Sequence, residues 1–259
     1  MRNLYFLLTK ELRSYINSPV ALVVITIFAV ITGYYFYNIF ANFSTLSFQA
    51  QSNPMAAKQY GALNVTEFVV RPFFSVVGLV MLIMLPMITR RSFAEEKKTG
   101  TMELLLTYPL TDAEAIIGKF LGCMGIFIVM LALTFPCLAL VGYFGAPEWG
   151  VIAAGYVGLL LMGSAFISLG LFMSSLTENQ IIAAALSFAS LIILYMAGFS
   201  AGFAGENVGK VLEYISIINH LETFAKGVID TSDVNYYILF TALFLFLSMR
   251  SLESKRWRG

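Results

Sequence analysis

Six stretches of this chain, each 16 residues or longer, contain no Asp, Glu, Lys, Arg or His. They are Val20 to Phe40, Pro72 to Thr89, Phe120 to Phe144, Trp149 to Thr177, Gln180 to Ala204 and Val234 to Met249. A bilayer core is crossed by about 20 mostly apolar residues. The last run has 16 residues, about 24 Å as a helix. It should therefore stand upright or sit in thinned lipid. Only helices and closed barrels satisfy every backbone group in lipid, and a barrel would alternate apolar with polar residues. The expected fold is an all-α integral membrane protein with six transmembrane helices.

Composition agrees with that reading. Charged residues make up 12% of the 259 and mean hydropathy is +0.81. A soluble domain carries about 25% charged residues. An ordinary soluble enzyme is thus excluded, and so is a disordered chain, which needs low hydrophobicity. Net charge is +1, which gives no nucleic-acid footprint. Cys123 and Cys137 lie in one apolar run, about 21 Å apart on a helix. That is beyond disulfide reach, so both read as apolar filler. The first run exceeds a typical signal-peptide core and lacks a small-residue cleavage site, so it reads as a retained anchor.

Lys and Arg set the expected orientation. With the N-terminus in the cytoplasm, 12 of the 16 Lys and Arg fall on inside segments. Lys58, Arg71, Lys210 and Lys226 fall outside. Both termini are then cytoplasmic. Tyr34 to Tyr37, Tyr143 with Trp149, and Tyr236 with Tyr237 fall at the outer interface as an aromatic belt.

Segments between the runs differ in character. Residues 1–18 place Leu4, Leu7, Leu8, Leu12 and Tyr15 at helical spacing, with Lys10, Glu11 and Arg13 elsewhere on the wheel. This predicts an amphipathic helix lying in the inner interface. Residues 41–71 read as an outer loop. Residues 205–233 carry an apolar stripe of Val208, Val211, Leu212, Ile215, Ile218 and Leu221, expected on the outer membrane surface or the bundle. His220, the single histidine, is there beside Glu222. With no second ligand it makes no metal site, and it reads as a surface or capping residue.

The inside segment 90–119 holds the densest charge in the chain. It runs from Arg90 and Arg91 through Glu95, Glu96, Lys97 and Lys98 to Gly100, Thr101, Glu103, Leu104, Leu105 and Leu106. Gly100 permits a sharp turn between two short helices. Thr101 can cap the second helix, with Glu103 favourable near its start. Pro109 ends it. Thr111 and Glu114 spell a capping box for the third span. Three leucines among charges need a cover, either bilayer or a partner. The segment is either a charged loop that fixes topology or a docking helix for a cytoplasmic partner.

Catalytic signatures are missing. There is no Gly-x-x-x-x-Gly-Lys-[Ser/Thr] phosphate loop, no Gly-x-Ser-x-Gly elbow and no zinc-binding His/Glu motif. The six runs also hold no ionisable relay of the kind proton-coupled carriers use. Energy for any transport should then arrive from outside the chain, although sodium coupling through carbonyls and hydroxyls stays formally open. Gly118 with Gly122, and Gly198 with Gly202, form Gly-x-x-x-Gly pairs that permit close helix approach, within one subunit or between two.

The stretch Phe93 to Leu110 resembles the first cytoplasmic loop of ABC-type 2 permeases, of the form Glu-Glu-[Lys/Arg]-x-x-Gly-Thr-x-Glu-x-Leu-Leu-x-x-Pro, followed here by Ile117-Gly118-Lys119-Phe120. The stretches Asn219 to Asp230 and Ser251 to Trp257 are similar to the gliding-motility-associated branch of that family. The likeness covers nearly the whole chain, 1–259, as a single permease domain.

The resemblance implies a membrane-spanning exporter subunit, not itself an enzyme, in the cytoplasmic (inner) membrane. It implies two copies of a separate ABC ATPase and a second permease copy or paralogue. It implies no cofactor in this chain, with ATP and magnesium in the partner. Residues 1–18 look like the family's elbow helix. The loop looks like its coupling helix, with Glu95, Glu96 and Glu103 as charged contacts and Leu104 and Leu105 as the apolar anchor, shaped by Gly100 and Thr101. Arg90 and Arg91 would pin it at lipid phosphates. Residues 205–233 resemble the outer re-entrant element. The alternative is a membrane anchor or assembly scaffold of an envelope or gliding machine, energised by the ATPase without solute transport.

Overall fold

The computed structural model of the chain describes residues 2–16, 18–52, 64–100, 111–203 and 205–256. Along these the chain forms α1 (Arg2–Ile16), α2 (Pro19–Ser52), a π-helical turn (Thr66–Val70) leading directly into α3 (Arg71–Thr89), and α4 (Arg91–Lys98). Then follow α5 (Asp112–Ala132), α6 (Phe135–Phe144), α7 (Trp149–Leu176), α8 (Gln180–Ala201), α9 (Glu206–Ile215), α10 (Ile217–Ala225) and α11 (Thr231–Arg256). Among the described residues six helical stretches are long and apolar enough to cross a membrane. Each of the six uncharged runs overlaps one of them.

Helix α7 forms the axis of the bundle. It packs against α3, α4, α5, α8, α10 and α11. Its small residues make this possible. Gly155 faces the Phe74 ring, Gly158 faces Phe224 and Gly163 faces Phe127, each closer than a Cβ could tolerate. Bare backbone lets fully buried rings lie directly on the helix, and that contact supplies dispersion energy where lipid offers no hydrophobic gradient. Helices α2, α8 and α11 sit outside this core and expose Val30, Ile193 and Leu239 among other large apolar side chains.

Three boundaries differ from the sequence expectation. Helix α2 continues to Ser52, about 51 Å in all, well beyond a bilayer core of about 30 Å. The sequence places a loop over 41–71. In the helix that replaces its first part, the hydroxyls of Thr45 and Ser52 turn back onto carbonyls three residues earlier, so these polar groups are satisfied within the helix itself. The third run is broken at Leu133 and Thr134, where Pro136 starts α6 and the Thr134 hydroxyl donates to Leu131 O at 2.7 Å. The last run lies within a 26-residue helix, about 39 Å long. The helix is long enough to span, and only its apolar part is short.

Helix α1 does not lie free on a surface. Its buried residues Leu7, Glu11 and Tyr15 follow an i, i+4, i+8 row pressed onto α5, against Gly118, Gly122 and the Cys123 region. Glu11, placed by its sequence on the polar side, is on this buried row. Gly118 and Gly122 therefore serve packing within the chain. Ser251 near the end of α11 reaches the carbonyl of Ser175 at the end of α7 (3.4 Å), so α1, α4 and the C-terminal part of α11 share one end of the bundle.

Candidate docking site and its support

The candidate segment starts as an extension of α3. Arg90 keeps helical angles (φ −52°, ψ −34°), so α4 projects from α3 without a flexible joint. It ends at Gly100 with φ 70°, a backbone state that glycine adopts without strain. Thr101, Glu103, Leu104 and Leu105 lie outside the described residues. The chain resumes at Thr111, whose hydroxyl accepts from Glu114 N (3.2 Å) while the Glu114 carboxylate accepts from Thr111 N (3.0 Å). This is the expected capping box.

The described part of the segment is held from behind by charge. Lys119, only 2% exposed, donates to Glu11 of α1 (3.1 Å) and to Glu96 of α4 (2.8 Å). Its ammonium also lies 5.2 Å from the centre of the Phe93 ring. Lys10 approaches Glu96 at 4.0 Å, and Arg91 pairs with Glu95 at 3.2 Å. Three cations and three carboxylates thus surround a cavity of about 190 Å³ between α1, α4 and α5. Buried ions are tolerable only when paired and hydrogen-bonded, and here every charge has an opposite partner.

Hydroxyls complete the joint. Ser174 of α7 accepts from the N–H groups of Phe93 and Ala94 (both 3.1 Å) and donates to Arg90 O (3.0 Å). These bonds tie the first turn of α4 to the end of α7. Lys97 donates to Ser175 O, the carbonyl that also receives the Ser251 hydroxyl of α11. Tyr15 bonds Ser92 (3.0 Å) and Cys123 (3.2 Å). Burial pushes its phenol well above the usual range, so it stays a neutral hydrogen-bonding group. Arg91 bonds Ser14 (3.3 Å) and Ser18 and stacks 5.5 Å from the Tyr15 ring, so it is tied to α1.

Of the expected contacts, Glu95 faces outward enough to meet a partner, whereas Glu96 is turned inward onto Lys119. Glu11, Lys119, Ser174 and Tyr15 are functional candidates that sequence reading missed. By sequence Lys119 belongs to the segment preceding the third span, but it lies inside α5. Among the described residues no three His, Cys, Asp or Glu side chains gather as a metal centre requires. The geometry makes α4 rigid and fastens it to α1, α5, α7 and α11 together.

At the other end of the bundle, His220 is not a surface residue. It is 7% exposed and bonded to Asp233, thirteen positions further on and across a turn.

Comparison with known proteins gives two results. The profile of a family described as ABC-2 family transporter protein matches residues 5–252. The "Probable multidrug ABC transporter permease YbhS" of Escherichia coli (strain K12) is 26% identical over 191 residues, covering 70% of this chain and 50% of the relative. The protein of the same name from Escherichia coli O157:H7 matches equally. The chain spans about half the length of these curated relatives.

Proposed function

The chain belongs to the ABC-2 family of transporter proteins, and from that premise we propose that it is the permease subunit of an ATP-driven exporter, worked by a separate ATPase gripping residues 93–106. It is a multi-pass membrane protein. In this reading the end bearing α1, α4 and the C-terminus faces the cytoplasm, as the Lys and Arg bias requires. Two ATPase copies, carrying the ATP and magnesium, meet two permease copies in the cytoplasmic membrane.

The observation that carries the reading is the way α4 is fastened. A push on a flexible loop dissipates locally. A push on α4 must move Glu96, Lys119 and Glu11 as one body, and it reaches α7 through Ser174 and α11 through the Ser175 carbonyl. Coupling of this kind needs a rigid element contacting the parts that move. Closure of the ATPases would then reorient the spans and alter the opening between the two permease copies. The name of the Escherichia coli relatives, together with apolar helix surfaces, supports an amphipathic cargo.

Glu103→Lys or Leu105→Asp is expected to lower co-purification with the ATPase at least several-fold, with unchanged insertion into the membrane. Affinity purification of the tagged chain with its ATPase, beside a membrane-fraction blot, reads both quantities. Normal ATPase yield in both variants overturns the docking assignment.

A further inference from the structure

We propose that His220 is a buried imidazolium that clasps α9, α10 and α11 together at the end of the bundle opposite α4. The inference does not depend on the transport reading. Its Nε2 lies 2.9 Å from the carbonyl oxygen of Tyr214, and its Nδ1 lies 2.6 Å from Oδ1 of Asp233. A carbonyl oxygen only accepts, so Nε2 must carry a proton. An ionised carboxylate also only accepts, so the second contact needs a proton as well. Imidazole ordinarily holds a proton far better than a carboxylate does, so that proton rests on the ring. The cluster holds one positive and one negative charge and needs no further counter-ion.

The surroundings suit a cation. The Tyr236 ring stacks on the imidazole at 4.0 Å between centroids and 23° between planes. Tyr214 and Tyr237 stand edge-on at 5.8 and 6.1 Å. Aromatic faces attract a cation, most strongly when water is excluded. Tyr237 also donates to Ile217 O (2.8 Å) and Tyr236 to Ile215 O (2.7 Å), so α11 grips the junction of the two short helices twice more.

Helix α9, packed on α10, carries the charged residues Glu206, Lys210 and Glu213. Helix α7 contains no charged residue. Tyr195 is the titratable group of α8. At the start of α3, Arg71 is taken by Glu67 (3.0 Å), and on α10 itself Glu222 pairs with Lys226 (3.8 Å). Asp230 receives Ser232 N (2.9 Å). From α9 the facing group is Tyr214, and from α11 they are Asp233, Tyr236 and Tyr237.

The clasp requires a proton on each ring nitrogen. Because the chain has one histidine, uniform 15N-histidine labelling gives one imidazole in an NMR spectrum of the whole protein. At neutral pH both ring nitrogens should carry protons, and Asp233→Asn should shift the ring to the neutral form. A bare ring nitrogen in the wild-type chain at neutral pH overturns the proposal. A second measurement is the melting temperature of the whole protein at neutral pH. Asp233→Asn should lower it by several degrees, because it removes the counter-charge of a buried ion. An unchanged melting temperature overturns the clasp.

Discussion

Lys119→Met is expected to destabilise the protein by about 3–5 kcal/mol, the range for removing one partner of a buried ion pair. Two carboxylates meet on this one ammonium, and Lys119 is the donor that Glu11 has in the structure. Methionine fills the space but leaves Glu11 inside the α1–α5 packing without its counter-charge. The effect should show as a large drop in melting temperature and in folded yield from detergent. The companion test neutralises the carboxylates. Glu11→Gln and Glu96→Gln added to Lys119→Met should return more than half of the loss, because the uncompensated charge is what costs stability and not the missing lysine. A single variant as stable as the wild type would contradict the burial and pairing of this group.

The second large effect concerns α7. A Cβ at Gly163 would lie 2.1 Å from Cε1 of Phe127, which is fully buried. Gly163→Val adds three carbons where there is no room for one. Overpacking of a tight core costs about 1–3 kcal/mol and sometimes more. Here the obstacle is a ring held on all sides, so the upper part of that range or beyond is expected. Phe127→Ala alone should also destabilise strongly, by about 3–5 kcal/mol. Combining the two should recover part of the loss, since the valine then occupies vacated volume. Losses that simply add, measured by thermal unfolding, would show that the two residues do not share this contact.

Sequence alone revealed the spans because lipid imposes a single rule on them, and a run such as Trp149 to Thr177 leaves no other reading. The capping box at Thr111 and the turn at Gly100 were also legible, because each is a local signal read over a few residues. The helix through Asn42 and Ser52 was hidden, since its polar side chains match loop composition and only their back-bonding to carbonyls betrays a helix. The support behind α4 was hidden for a different reason. Glu11 and Lys119 are 108 positions apart, and Ser174 is about 80 positions from the N–H groups it bonds. Their pairing is a product of tertiary packing with no periodicity to announce it. His220 looks like a surface residue in the sequence for the same reason, because Asp233 and Tyr236 approach it only after the chain has turned. A charge close to the start of an apolar run, as Lys119 is, reads as a topology marker unless its partners are known.

The central claim is that a separate ATPase grips the segment 93–106 from the cytoplasm and moves the spans through α4. The direct test uses a chain with Cys123→Ser and Cys137→Ala, carrying Lys98→Cys at the exposed end of α4 and co-produced with its ABC ATPase. An impermeant thiol reagent should fail to label this cysteine in intact cells. In opened membranes, a short reagent that couples a thiol to an amine should join it to a lysine of the ATPase. Labelling from outside intact cells, or opened membranes that yield no ATPase adduct from this position, would contradict the account.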